Sequence, residues 1–320
     1  MTCDAIVVGG GVIGLTSAIV LAEGGRRVTV WSRDPAGRTT SAVAGGLWWP
    51  YRIEPEEQVA AWSVRTLHTL TALAERPAET GVRLVEGTQA GIGTRDLGAW
   101  AAAVPGLRPA RPDELPDGLT LGLRARVPLV DMATYLGYLR RRLEAAGGTV
   151  EERAVTSLGE ARRAAPLVVN CTGLGARELV PDAEVHPVQG QLVVVENPGV
   201  EEWLGAVDPH SPDTLYMLPQ PYGLVLGGTA RENAWSLEPD PATAKAIVAR
   251  CARVHPRVAH ARVLAHRVGL RPARSRVRLE PEELPGGGAC VHNYGHGGAG
   301  VTVAWGCARD AARLGGLAVE

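Results

Sequence analysis

The run Gly9-Gly10-Gly11-Val12-Ile13-Gly14 narrows the choice of fold more than any other feature of the chain. It follows an apolar stretch, Asp4 to Val8, and opens apolar residues at helical spacing from Val12 to Glu23, which Gly24-Gly25 stop. Arg27 to Trp31 is a second β-branched run, so the chain opens with strand, glycine turn, helix and strand, a βαβ unit. In such a unit Gly9 permits the tight turn, and Gly11 lets backbone amides approach a pyrophosphate. Gly14 lets helix and strand pack closely, and the positive end of the helix, at Val12 and Ile13, faces the phosphates. A tight turn with no ligand would use the same glycines, so the rest of the chain must decide.

The usual companion of this turn is an acid at the end of the second strand. Here that end reads Val30-Trp31-Ser32-Arg33-Asp34. Either Asp34 reaches the ribose or Arg33 contacts the adenosine phosphate side. Further on, Arg38 to Tyr51 sets the hydroxyls of Thr39, Thr40 and Ser41 beside the small residues Ala44, Gly45 and Gly46, which allows backbone to lie against a flat ring. Near the other end, Asn293 to Thr302 places Gly295, Gly297, Gly298 and Gly300 before a predicted helix from about Ala299 to Leu314. The N-terminus of that helix can stabilise negative charge. His296 within this loop reads as a residue hydrogen-bonded to backbone rather than as a catalytic base.

Between these ends, helices are predicted over about 56–75, 131–146 with Asp131 as N-cap, and 241–253. Strands are predicted at 149–152, 167–169, 191–195, 223–226, 263–269, 277–280 and 289–292, and loops around short elements over 91–122. The class is therefore α/β or α+β, and nucleotide-binding signals at both ends imply a cofactor domain assembled from separated segments. The net charge of −1, with no basic block, argues against a nucleic-acid partner. Five cysteines without a C-x-x-C pair fit neither a zinc site nor a secreted disulfide framework, and no metal site is expected. No apolar run reaches membrane-spanning length, the first strand leaves no room for a signal peptide, and Leu317-Ala318-Val319-Glu320 is not a peroxisomal signal. The expectation is a cytoplasmic protein with free thiols. Lys245 is the single lysine and phenylalanine is absent; we have no physical account of the latter.

Several blocks together resemble the D-amino-acid oxidase family: Thr39-Thr40 through Gly45-Gly46-Leu47-Trp48, Asn170-Cys171-Thr172-Gly173, Gly269-Leu270-Arg271-Pro272, and His292 to Gly298 followed by Trp305-Gly306-Cys307-Ala308. They span almost the whole chain. The resemblance implies a Rossmann-like FAD-binding domain (1–50, 131–187 and 268–320) and a substrate domain on an antiparallel sheet (51–130 and 188–267). It also implies a homodimer. Arg271 matches the arginine that pairs with the substrate carboxylate, and Tyr216 the tyrosine whose hydroxyl touches the same group. Gly298 matches the position whose carbonyl accepts from the substrate amine; Leu47, Val301 and Thr302 fall among the flavin contacts. Arg274, Arg276 and Arg278 read as structural. The segment 208–214 has no second tyrosine where some members carry a lid tyrosine, which implies a short or absent lid.

The implied activity is oxidation of neutral D-amino acids with oxygen as the acceptor, giving 2-oxo acids, ammonia and hydrogen peroxide. Trp49 is expected to narrow the pocket, and Arg52 would favour an acidic side chain if it pointed inward, as a D-aspartate oxidase would need. A glycine- or sarcosine-type oxidase is a second alternative. An FAD-holding redox module without oxidase turnover is a third.

Overall fold

A computed structural model of the chain describes residues 3–206, 214–284 and 287–318. Among these residues two sheets form. One has six strands in the order Arg278–Glu283, Ala289–Tyr294, Leu167–Asn170, Ala5–Val8, Val28–Ser32 and Thr149–Glu152. All its pairings are parallel except that of the edge strand Arg278–Glu283. Ala5–Val8 sits near its middle and is buried throughout. Ala5 and Val7 join the main core with the helix Val12–Glu23, while Ile6 and Val8 join a second core with Leu158 and Ala161. A continuous apolar run is what a parallel strand covered on both faces requires.

The second sheet has nine strands and is antiparallel apart from one parallel pair, Val82–Ala90 with Trp203–Ala206. Its order runs from Arg231–Glu232 through His186–Val195, Gly223–Gly227, Leu215–Gln220, Trp203–Ala206, Val82–Ala90 and Gly122–Val130 to Arg108–Pro109. The strand Val263–Ala273 also pairs with His186–Val195 over nearly its whole length. Four of these strands, Val82–Ala90, Gly122–Val130, Trp203–Ala206 and Leu215–Gln220, were not expected from the sequence. In Val82–Ala90 and Gly122–Val130 charges hid the alternation: Arg124 pairs with Glu86 on the adjacent strand and with Glu202 just ahead of Trp203–Ala206.

The predicted helices form, as Glu56–Leu73, Met132–Ala145, Pro241–Val254 and Gly300–Leu314. Asp131 caps its helix as expected, accepting from the amide of Ala133 at 3.1 Å and the hydroxyl of Thr134 at 2.7 Å. Asp240 does the same for Ala242 and Thr243. The helix Gly300–Leu314 packs against both Val12–Glu23 and Glu56–Leu73. The second contact is close because Gly306 has no side chain: a Cβ there would lie 2.3 Å from Cα of Trp62. No helix among the described residues is long and apolar enough to cross a membrane.

Candidate active site

The turn after the first strand is built as its glycines require. Gly9 has φ +116°, in the region only glycine adopts readily, and a Cβ on it would sit 2.4 Å from the carbonyl oxygen of Cys171. A Cβ on Gly14 would sit 1.8 Å from the carbonyl oxygen of Gly9, so helix and turn touch backbone to backbone. Gly9 donates to the carbonyl of Trp31 at 2.8 Å, and Cys171 to that of Val8 at 2.8 Å. The carboxyl ends of three adjacent strands are thereby drawn together, where ligands of open α/β sheets bind.

A single cavity of about 1060 Å³ begins at this point and runs between the two sheets. It exceeds the roughly 300–1,000 Å³ of an ordinary small-molecule pocket, as a dinucleotide with a substrate beside it would require. Gly9, Gly11, Val12 and Ile13 line one end with Thr39, Thr40, Ser41 and Ala44. Cys171, Thr172 and Gly173 line it as well, and so do Gly297, Gly298, Gly300 and Val301. Ser41 accepts from the amide of Val12 at 3.0 Å, and Thr40 donates to the carbonyl of Leu270 at 3.1 Å. The hydroxyl-rich segment thus bridges the first helix and the strand that carries Arg271.

Three predicted cofactor residues do not line the cavity but shape it. Gly14 makes the helix contact just described. Gly295, at φ +85°, leaves room for Arg274, whose Cβ would lie 2.9 Å from a Cβ on the glycine. Thr302 is buried, its hydroxyl bonded to the backbone of Trp49, accepting from the amide at 3.3 Å and donating to the carbonyl at 3.2 Å. Arg33 and Asp34 pair with each other at 2.9 Å at the outer rim, both side chains exposed. The guanidinium of Arg153 lies 3.8 Å from the ring centroid of Trp31 on the same rim, a contact the sequence did not signal. Arg274 and Arg278 are held by carboxylates, Arg274 by Asp182 and Glu184, Arg278 by Glu280 and Glu282.

At the other end of the cavity Arg271 lies between two glycines. Its guanidinium would meet a Cβ on Gly190 at 2.4 Å, and its Cδ one on Gly298 at 3.3 Å. One nitrogen donates to the carbonyl of Thr229 at 2.9 Å. The Tyr216 ring covers Gly227, where a Cβ would come within 1.9 Å of it. Burial pushes the Tyr216 hydroxyl above its ordinary range, and the adjacent Arg271 charge only partly offsets this. Tyr216 therefore remains a neutral donor beside a fixed cation. Leu47, Trp49, Tyr51, Leu218 and Gln89 form the neighbouring wall. Leu47 bridges to Leu129, and Trp49 packs against Trp100 and Trp203 with ring centroids 5.1 and 5.6 Å apart. Arg52 is exposed at the mouth, at φ +44°, its guanidinium 5.1 Å from the Tyr51 ring centroid.

His296 differs from expectation. It is buried on the cavity wall, and its Nε2 has no hydrogen-bond partner among the described residues. Burial lowers its pKa to about 3, so it is neutral. Asn293 Oδ1 and the Tyr51 hydroxyl are likewise buried without partners on the same wall. Buried polar atoms of this kind call for a polar ligand, and with the glycine cradle they fit FAD. Cys171 is a free thiol that burial pushes up to about 12, which makes it a poor nucleophile. The lid segment 208–214 lies, apart from Thr214, outside the described residues.

The model of a family described as FAD-dependent oxidoreductases matches residues 4–314. A D-amino-acid oxidase of Streptomyces coelicolor is 64% identical over 97% of this chain and 96% of its own. One from Rubrobacter xylanophilus is 52% identical over 99% of this chain and 97% of its own. Among solved structures, a glycine oxidase of Geobacillus kaustophilus superposes with a TM-score of 0.80 at 20% identity, covering 98% of this chain and 94% of that one, a likeness of fold. The glycine cradle, the arginine–tyrosine pair and these matches agree: the chain belongs to the D-amino-acid oxidase family of FAD-dependent oxidoreductases.

Proposed function

We propose that this protein oxidises neutral D-amino acids to 2-oxo acids, ammonia and hydrogen peroxide. The observation that carries the reading is the Arg271–Tyr216 pair, set in the same cavity as the dinucleotide cradle. A planar guanidinium takes a carboxylate in a two-pronged geometry that lysine cannot match, and the neutral Tyr216 hydroxyl adds a donor from the side. Together they fix the amino acid at one end. The Gly298 carbonyl, beside the Arg271 stem, accepts from the substrate amine.

FAD, when bound, supplies the chemistry of accepting a hydride from the α-carbon and passing the electrons to oxygen. Gly9, Gly11, Val12 and Ile13 would hold its pyrophosphate. Thr39 to Leu47, Cys171 to Gly173 and the loop Gly295 to Thr302 would hold the rest. The protein contributes orientation and exclusion of water rather than a general base, since burial makes the His296 imidazole too weak a base and keeps Cys171 a protonated thiol. A neutral substrate is favoured because Leu47, Trp49 and Leu218 line the wall while Arg52 is exposed at the mouth. We further infer two functional units with the boundaries given above, a homodimer, and a cytoplasmic setting in keeping with free thiols.

The test is anaerobic mixing of the yellow protein with D-alanine, D-methionine, D-aspartate, glycine and the L-isomers while the flavin absorbance is followed. Bleaching by neutral D-isomers alone is expected. Bleaching by D-aspartate in preference to the others would move the assignment to an acidic substrate, and no bleaching at all would leave a flavin-holding module.

A further inference from the structure

One row of the second sheet crosses the cavity. Gln89 pairs with Gly205, Gly205 with Tyr216, and Tyr216 with Gly227. Residues directly opposite on adjacent strands share a face, so Gln89 and Tyr216 look into the same cavity, two strands or on the order of 10 Å apart. The two glycines decide how each side chain lies. Tyr216 leans over Gly227, towards Arg271, while the carboxamide of Gln89 lies over Gly205, where a Cβ would come within 2.4 Å of Oε1. A cleft is left between them over Gly205.

Gln89 is only 7% exposed and shares its wall with Leu47, Trp49, Tyr51 and Leu218. Its amide nitrogen donates to the carbonyl of Ala90 at 3.4 Å, which turns Oε1 away from that strand. Oε1 has no partner among the described residues. A carbonyl oxygen open to the cavity and without a protein partner is free to accept from a ligand there. If Arg271 and Tyr216 hold the carboxylate, the side chain of the substrate extends away from Arg271 along the strand order, which leads to Gln89.

We propose that Gln89 is a specificity-determining residue whose carboxamide oxygen accepts a hydrogen bond from the side chain of the substrate, favouring D-amino acids that carry an amide N–H. This rests on the proposed Arg271–Tyr216 clamp. It favours D-asparagine over D-leucine, which has nearly the same shape, because only the former gives the oxygen a partner. A site with a buried polar group discriminates against an analogue that leaves the group unpaired.

The experiment compares kcat/KM of the holoenzyme for D-asparagine, D-leucine and D-glutamine. In Gln89→Leu the D-asparagine to D-leucine ratio should fall about tenfold. In Gln89→Asn the amide is retracted by one methylene, and preference should move from D-asparagine towards D-glutamine, a change that a merely structural role would not produce. Gly205→Ala forces the carboxamide aside and should lower the first ratio as Gln89→Leu does, which keeps the test open if that variant folds poorly. An unmoved ratio in these variants, while Arg271→Ala abolishes turnover of every substrate, overturns the assignment of Gln89 alone. Full turnover by Arg271→Ala would remove the clamp and this assignment with it.

Discussion

Arg271 sits where a longer or bulkier neighbour would displace it, against Gly190 and Gly298, and its one backbone bond to Thr229 leaves other donors free for a ligand. Its shape matters as much as its charge. Arg271→Lys keeps the cation but loses the fork, and kcat/KM for D-alanine should fall about a hundredfold; Tyr216→Phe should cost about tenfold. Steady-state kinetics checks both, and an unchanged value for either would remove that residue from the clamp. His296 makes a different prediction. Its folded pKa, lowered by burial to about 3, lies below the ordinary 6.5. Between those values the unfolded chain binds a proton that the folded chain does not, so this contribution to stability is lost as pH falls. Urea unfolding of wild type and His296→Gln between pH 7 and 4 should therefore show the wild type losing more stability on acidification. Parallel pH profiles would mean that the imidazole is not held neutral.

At the scale of elements, the contact of Gly300–Leu314 with Glu56–Leu73 depends on Gly306. Gly306→Ala drives a Cβ into the backbone of Trp62 and should cost about 1–3 kcal/mol by urea unfolding. A neutral result would mean that the helices separate freely. The first βαβ unit was readable because glycine is forced at Gly9 and Gly14 by backbone contact, and such positions leave an unmistakable residue type behind. The long helices were readable from their periodicity, and Asp131 from its capping chemistry. Strand Gly122–Val130 was not. Arg124 and Arg126 break its apolar run, and Arg124 is stabilised chiefly by Glu86 and Glu202, which are distant in sequence and reach it only once the sheet has formed. The same holds for the site. Arg271 and Tyr216 were found through their family blocks, whereas Gln89 and Gly205 carry no local mark and come together only through strand register.

The cavity lies between the sheets, so its walls belong to elements that must already be docked before a ligand can be held. FAD binds this docked form, and it should stabilise the fold by about 2.7 kcal/mol at a free concentration one hundred times its Kd. Thermal unfolding with and without added FAD measures this; a melting temperature independent of FAD would mean that the folded chain holds FAD no better than the unfolded one. The contact between Ser41 and the amide of Val12, and that between Thr40 and the carbonyl of Leu270, also bear on how the protein is made. The glycine turn leaves the ribosome long before the strand with Arg271 and the loop ahead of the helix Gly300–Leu314. At ordinary elongation rates the cradle waits on the order of 15–60 s for its partners. Flavin capture thus waits for these later segments, and a ribosome stalled before residue 270 would carry a nascent chain with only half a binding site.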